Sequence, residues 1–144
     1  MEVFRQIQVL ADYLRDALEA SDAFAGVPVR RGFPIDFPPE VAWVSYGTDG
    51  ERQLLASNLT SFHVEPHLGG GISVTQSIGE DWTPIADRLF ELTDAFEAVL
   101  AANKTLGGLC GDAWLSRTQT VETIPDDTKG CLTALFELSV TLYA

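Results

Sequence analysis

The residues able to do chemistry are few, and their spacing does not group them. His63 and His67 are the only histidines of the chain. A spacing of four would set both on one face of a helix, where metal ligands often sit. Here they flank Pro66 at the end of a strand-like run, so that geometry fails. A His–His–Cys zinc site would need Cys110, and nothing in the sequence brings it near. Cys110 and Cys131 are expected at the inner ends of two adjacent strands, as small buried apolar residues. A nucleophilic cysteine needs a base and an electropositive setting, and the surroundings, including Asp112, are acidic. Gly69-Gly70-Gly71 precedes a strand, whereas a phosphate cradle opens directly onto a helix. It reads as the mobile tip of a hairpin. Gly107-Gly108 stands between helix and strand, the wrong order for a nucleotide fingerprint. Glu80-Asp81 and Asp126-Asp127 both fall in turns, while catalytic carboxylates need a cleft and opposed environments. Trp43, Trp82 and Trp114 read as core or interface anchors. The sequence therefore predicts no catalytic residue, no cofactor-binding residue and no metal ligand.

The elements that would have to position a site are clearer. The 144 residues fit one domain, 1–144, with 46% hydrophobic and 21% charged residues, a globular composition. Val3, Ile7, Leu10, Leu14 and Ala17 or Leu18 recur at spacings of three and four and predict an amphipathic helix over 3–20. Four prolines between 27 and 39 forbid a central strand there and leave room for an edge strand around Val29 to Phe33. Val41 to Tyr46 is strand-like and closed by the turn residues Gly47 to Gly50. Leu59 to Glu65, ended by Pro66, and Ile72 to Ile78 read as an antiparallel hairpin. Thr83 as N-cap and Pro84 at the first position open a helix over 84–103, with Trp82 as a staple residue ahead of it. Ile85, Leu89, Leu92, Phe96, Val99 and Leu100 form its apolar face, and Gly107-Gly108 stops it. Residues 109–122 read as a strand with a polar second half, and 125–130 as a turn. Leu132 to Tyr143 alternate as a long half-buried strand. The predicted fold is α+β: an antiparallel or mixed sheet of four to five strands with two amphipathic helices packed on one face.

The net charge is −12. Binding to nucleic acid or to an anionic membrane calls for clustered cations, and Arg30-Arg31 is the single adjacent basic pair. Two cysteines make no disulfide framework. The first residues, Met1 to Gln6, carry no secretion signal, no run reaches the length of a membrane span, and the Asn58-Leu59-Thr60 sequon means nothing without secretion. The expected location is the cytosol, or a particle assembled there.

This order of elements, with the Leu106-Gly107-Gly108 stop and a terminal hairpin ending in Phe136-Glu137-Leu138-Ser139-Val140-Thr141-Leu142, resembles the tail terminator (tail completion) proteins of long-tailed bacteriophages. It also resembles related minor tail and head–tail joining proteins. The resemblance implies a homo-oligomeric ring, commonly of six subunits, in the virion tail or neck, assembled in the host cytoplasm. Such a ring caps the tail tube, stops its growth and meets the neck or connector proteins. No enzyme activity, cofactor or membrane is implied. DNA passes through without specific binding, and six copies at −12 each, −72 together, would repel it from the bore. The polar stretch from Ser116 to Lys129 is expected to project as an arm onto a neighbouring subunit. The alternatives are a head–tail connector or stopper, a small ferredoxin-like ligand-binding domain, and a small enzyme.

Overall fold

The computed structural model describes residues 2–45, 48–56, 59–77, 81–126 and 128–141, and of residues 2–4, 48–56, 59–66 and 126 only the backbone. The chain runs α1 (Glu2–Ala20), a 3-10 turn (Asp22–Phe24), β1 (Val29–Arg31), β2 (Glu40–Ser45), β3 (Thr48–Ala56), β4 (Leu59–Ser77), α2 (Thr83–Ala102), β5 (Asp112–Asp126) and β6 (Lys129–Thr141). Five strands make one sheet in the order β1-β2-β4-β6-β5, and β3 pairs with β4 off this path. β1 runs parallel to β2; the other pairs are antiparallel. The fold is α+β with a mixed sheet, as the sequence predicts.

The two helices share one face of the sheet because their apolar stripes have one surface to bury against. α1 contributes Ile7, Leu10, Ala11, Leu14 and Leu18 to the core, and α2 contributes Ile85, Leu89, Leu92, Phe96 and Leu100. Alternate residues of β6, from Leu132 to Val140, meet them, as the period-two pleat requires. Phe96 stacks on Phe136 with ring centroids 4.2 Å apart. At the start of β2, Glu40 accepts hydrogen bonds from Arg88 Nε and Nη2 at 2.6 and 2.8 Å. That bidentate pair fixes α2 over the sheet.

The cap of α2 differs from expectation. Thr83 is the first helical residue, and Asp81 does the capping: its carboxylate accepts from the Thr83 backbone N–H at 2.9 Å and from Thr83 Oγ1 at 2.6 Å. Trp82 lies between them, half-buried against the core. The hydroxyl of Thr83, and then its backbone N–H, hold the Asp81 carboxyl below its ordinary value of 3.8. A carboxyl depressed in the folded state stabilises the fold above its unfolded pKa, and that stabilisation is lost as pH falls through the folded value. Asp81→Asn should therefore unfold at lower urea than the native chain at pH 7, with the gap closing below pH 3.8. A gap that stays constant down to the acid limit would mean that Asp81 does not act through its charge.

The triple glycine is the largest departure. The two runs expected to form a hairpin are one strand, β4, and Gly69-Gly70-Gly71 lies in its middle, between β2 and β6. The reason is close approach from both sides. The Phe136 ring lies over Gly70 on the helix face and the Trp43 ring over Gly71 on the other. Pro66 does not end the strand. It pairs opposite Thr48 of β3, where pairing of β4 with β6 has not yet begun, and a strand tolerates proline where one edge has no donor to supply.

β3 replaces the turn expected over 47–50; Tyr46 and Gly47 themselves lie outside the described residues. The register with β4 is the same on either side of them, Ser45 opposite Gly69 and Thr48 opposite Pro66. β2 and β3 thus follow one another along a single edge of β4, and β6 joins the other edge from His67 onward. The β3–β4 ribbon consequently extends about 25 Å past the sheet, at ~3.3 Å per residue.

The polar stretch after Ser116 is no arm. It is the second half of β5, paired with β6 as far as Asp126 opposite Lys129. A polar sequence suits an edge strand with solvent on its flanks, and residues 116–120 are all exposed. Projection belongs to the β3–β4 ribbon instead.

Candidate assembly interface

The chemically capable residues are scattered. His67 Nδ1 lies 3.0 Å from Glu137 Oε1 and 3.4 Å from Ser139 Oγ, on the sheet face away from the helices. The side chain of His63 lies outside the described residues, as do Glu80, Asp127 and the side chain of Asp126. Cys110 sits in the connection ahead of β5, while Cys131 is opposite Thr123 near the far end of β5. The two cysteines therefore lie at opposite ends of that strand pair, not at adjacent inner ends, and both are free and buried. Burial, then the nearby Asp112 charge, raise the Cys110 thiol. Burial also acts to raise Cys131, but hydrogen bonds from Ser73, Thr75, Thr133 and Thr123 outweigh it and the net direction is down. Ser73 Oγ is 3.0 Å from Cys131 Sγ, which accounts for a buried polar residue in the middle of β4. Among the described residues no three of His, Cys, Asp and Glu group so as to hold a metal ion. No described helix is long and apolar enough to cross a membrane.

What the fold does bring together is apolar surface at its two edges. After β1, Gly32 turns the chain with φ +89, a conformation that glycine adopts at low cost. Its N–H donates to Val44 O at 2.8 Å, and at the far end Thr75 N–H donates to Pro39 O at 2.7 Å. Between these anchors Pro34 is buried while Phe33, Ile35 and Phe37 point outward, Ile35 fully exposed and Phe33 67% exposed. The Phe33 and Phe37 rings stand edge-on to Trp43 at 5.5 and 6.1 Å and to each other at 5.5 Å. Prolines and aromatic packing make this a rigid knob on the sheet face away from the helices. In the sequence, the signal for this knob is the alternation of Phe33, Ile35 and Phe37 around Pro34.

No family model matches the sequence, and no curated protein does. Among solved structures, one that bears no functional name aligns over 92% of this chain and 96% of its own, with TM-score 0.47 and 16% identity. Another, from the virion of a native gene transfer agent particle, aligns over 88% and 90%, with TM-score 0.35 and 14% identity. At these identities no site residue carries over.

The opposite edge of the sheet holds a trough. α2 sits over β4 and β6 and reaches β5 only lightly, so the helix-side face of β5 is covered at Ala113 and partly at Leu115 but left open beyond them, at Thr118 and Thr120. Two adjoining hollows result. One, of about 250 Å³, is lined by Phe90, Phe96 and Leu115; the other, of about 530 Å³, by Leu100, Ala113 and Trp114. They share Glu97 and Leu115 and form one trough along α2. Phe90 is 54% exposed. A ligand pocket encloses its ligand and converges polar groups on it. This trough is open along its length, with Asp94 and Glu97 exposed on its lip. Its shape suits a protein side chain more than a substrate.

Proposed function

We propose that the chain is a structural subunit of a phage-like virion, a tail terminator whose copies form a ring, commonly of six, that caps the tail tube and joins it to the neck. The observation that carries this is the β3–β4 ribbon. Two strands alone are at best marginally stable in water, and among the described residues the only extensive contact of β3 is with β4. A ribbon of that length finds its third partner in another chain. The exposed acids of α1, Asp12, Asp16 and Glu19, and of α2, Asp87 and Glu91, make the helix layer negative, which suits a wall past which DNA slides. The reading assigns the chain no reaction and no cofactor.

The test is to join Gly47 to His67 through an Asn-Gly turn, which keeps the register that sets Ser45 opposite Gly69 and is the natural choice for a tight hairpin. Light scattering and electron microscopy should show rings for the native chain, capping purified tail tubes, and a folded monomer for the shortened one. Rings from the shortened chain would refute the role of the ribbon. A native chain that stays monomeric even with tail tubes would refute the terminator reading. Binding to capsids and not to tubes would assign the chain to the connector side of the neck.

A further inference from the structure

We infer that the Phe33–Phe37 knob of one copy seats in the α2–β5 trough of the next copy. This rests on the reading of the chain as a self-assembling subunit and names the surfaces by which the copies meet.

Three observations point to a second copy as the occupant. The first is position. In the strand order β1-β2-β4-β6-β5, the knob follows β1 and stands on Trp43 of β2, on the face away from the helices, while the trough flanks β5 on the helix face, so the two lie toward opposite ends of the sheet and on opposite faces. A chain with a projection at one edge and a hollow at the other joins head to tail, and head-to-tail contacts close into rings when the rotation allows. The second is chemistry. Phe33, Ile35 and Phe37 are three apolar side chains held out in water by a loop anchored at both ends. The trough offers exposed Phe90 and half-buried Leu115 as an apolar wall, with buried Phe96 at its floor. A preformed loop and a preformed hollow lose little freedom on joining. The third is charge. Arg30 stands beside the knob, 3.8 Å from Asp36 in a loose pair, with its side chain 47% exposed. The trough carries Asp94 and Glu97 on its lip. Seating the knob brings that guanidinium toward two carboxylates, an attraction between copies of a chain whose net charge is −12.

The experiment uses two full-length variants, Ile35→Asp in the knob and Phe90→Asp in the trough. Both positions are exposed, and circular dichroism with a thermal melt verifies that each variant folds as the native chain does. Light scattering should show native rings and each variant alone as a monomer. Mixed in equal amounts, the variants should pair into a heterodimer and stop there, because the mixture retains one intact knob and one intact trough per pair. A heterodimer is the signature of a head-to-tail contact, and a self-complementary contact does not produce it. Native rings with both variants still forming rings would overturn the inference and leave the ring reading standing. Rings that persist in Ile35→Asp but no longer cap tail tubes would overturn it too, since the knob would then serve the tube. Two monomeric variants that fail to pair when mixed would overturn the head-to-tail arrangement. A native chain that never assembles would refute the ring reading itself.

Discussion

Gly70→Ala should destabilise the protein by about 3 kcal/mol or more, the upper end of what overpacking costs. For a chain of this size that is a fall in melting temperature of roughly 10 °C. A Cβ at position 70 would collide with the backbone oxygen of Trp43 and would lie 2.6 Å from the Phe136 ring. The ring can shift, at the cost of its stack on Phe96, but the carbonyl belongs to the neighbouring strand and cannot. Gly71→Ala should also be destabilising. Its Cβ would meet the Trp43 ring and lie 2.9 Å from Ala134 O. Gly69→Ala is the control. Its Cβ would find only Ser45 Cβ at 3.8 Å, an ordinary contact, so the change should stay within about 1 kcal/mol. Thermal melts followed by circular dichroism would rank the three. Equal tolerance at all three positions is what a mobile loop tip would give, and it would contradict the central strand.

That contrast shows where the sequence was legible. Helical periodicity is a long-range signal, repeated over five or more positions, and it predicts both helices with Ile7, Leu10 and Leu14 and Ile85, Leu89, Leu92, Phe96 and Leu100 buried, as they are, while missing buried Ala11 and including Val99, which is only partly buried. The final strand was equally plain, because its residues alternate from Leu132 to Val140. The middle of the sheet was not. Three glycines in a row carry no side chains and so no period, and their local preference is for a turn. What makes them a strand is the bulk of Trp43 and Phe136, which are distant in sequence and unknown to any local pattern. The same holds for the arm. Polarity identified a stretch that needs no core, and Ser116 to Asp126 is such a stretch, but polarity does not distinguish an edge strand from a projection. The register continuing from β2 into β3 decided which segment projects, and register is not written in composition. The knob and the trough were hidden for a different reason. A trough exists because α2 is centred on β4 and β6, an offset that only the assembled layers reveal.

Trp43→Ala is expected to cost about 4 kcal/mol, within the usual range for removing a buried aromatic side chain, and to lower the melting temperature by roughly 12 °C. Trp43 is 2% exposed, yet it lies on the face of the sheet that no helix covers. Its burial comes from Phe33 and Phe37 above and Gly71 beneath. It therefore couples stability to assembly: without its ring, the knob has nothing to stand on. Phe33→Ala removes an exposed ring and should cost about 1 kcal/mol, the scale of one aromatic pair, while weakening ring formation. Trp43→Ala should abolish assembly as well, even at temperatures where the chain is fully folded. A double mutant isolates the contact. If Gly71→Ala is destabilising mainly because its Cβ meets the Trp43 ring, then in a Trp43→Ala background it should cost at least 1 kcal/mol less, a coupling typical of touching residues. The Ala134 oxygen remains, so the penalty should shrink without vanishing. Additive costs would mean that the two residues do not touch, and the knob would lose its foundation in the fold.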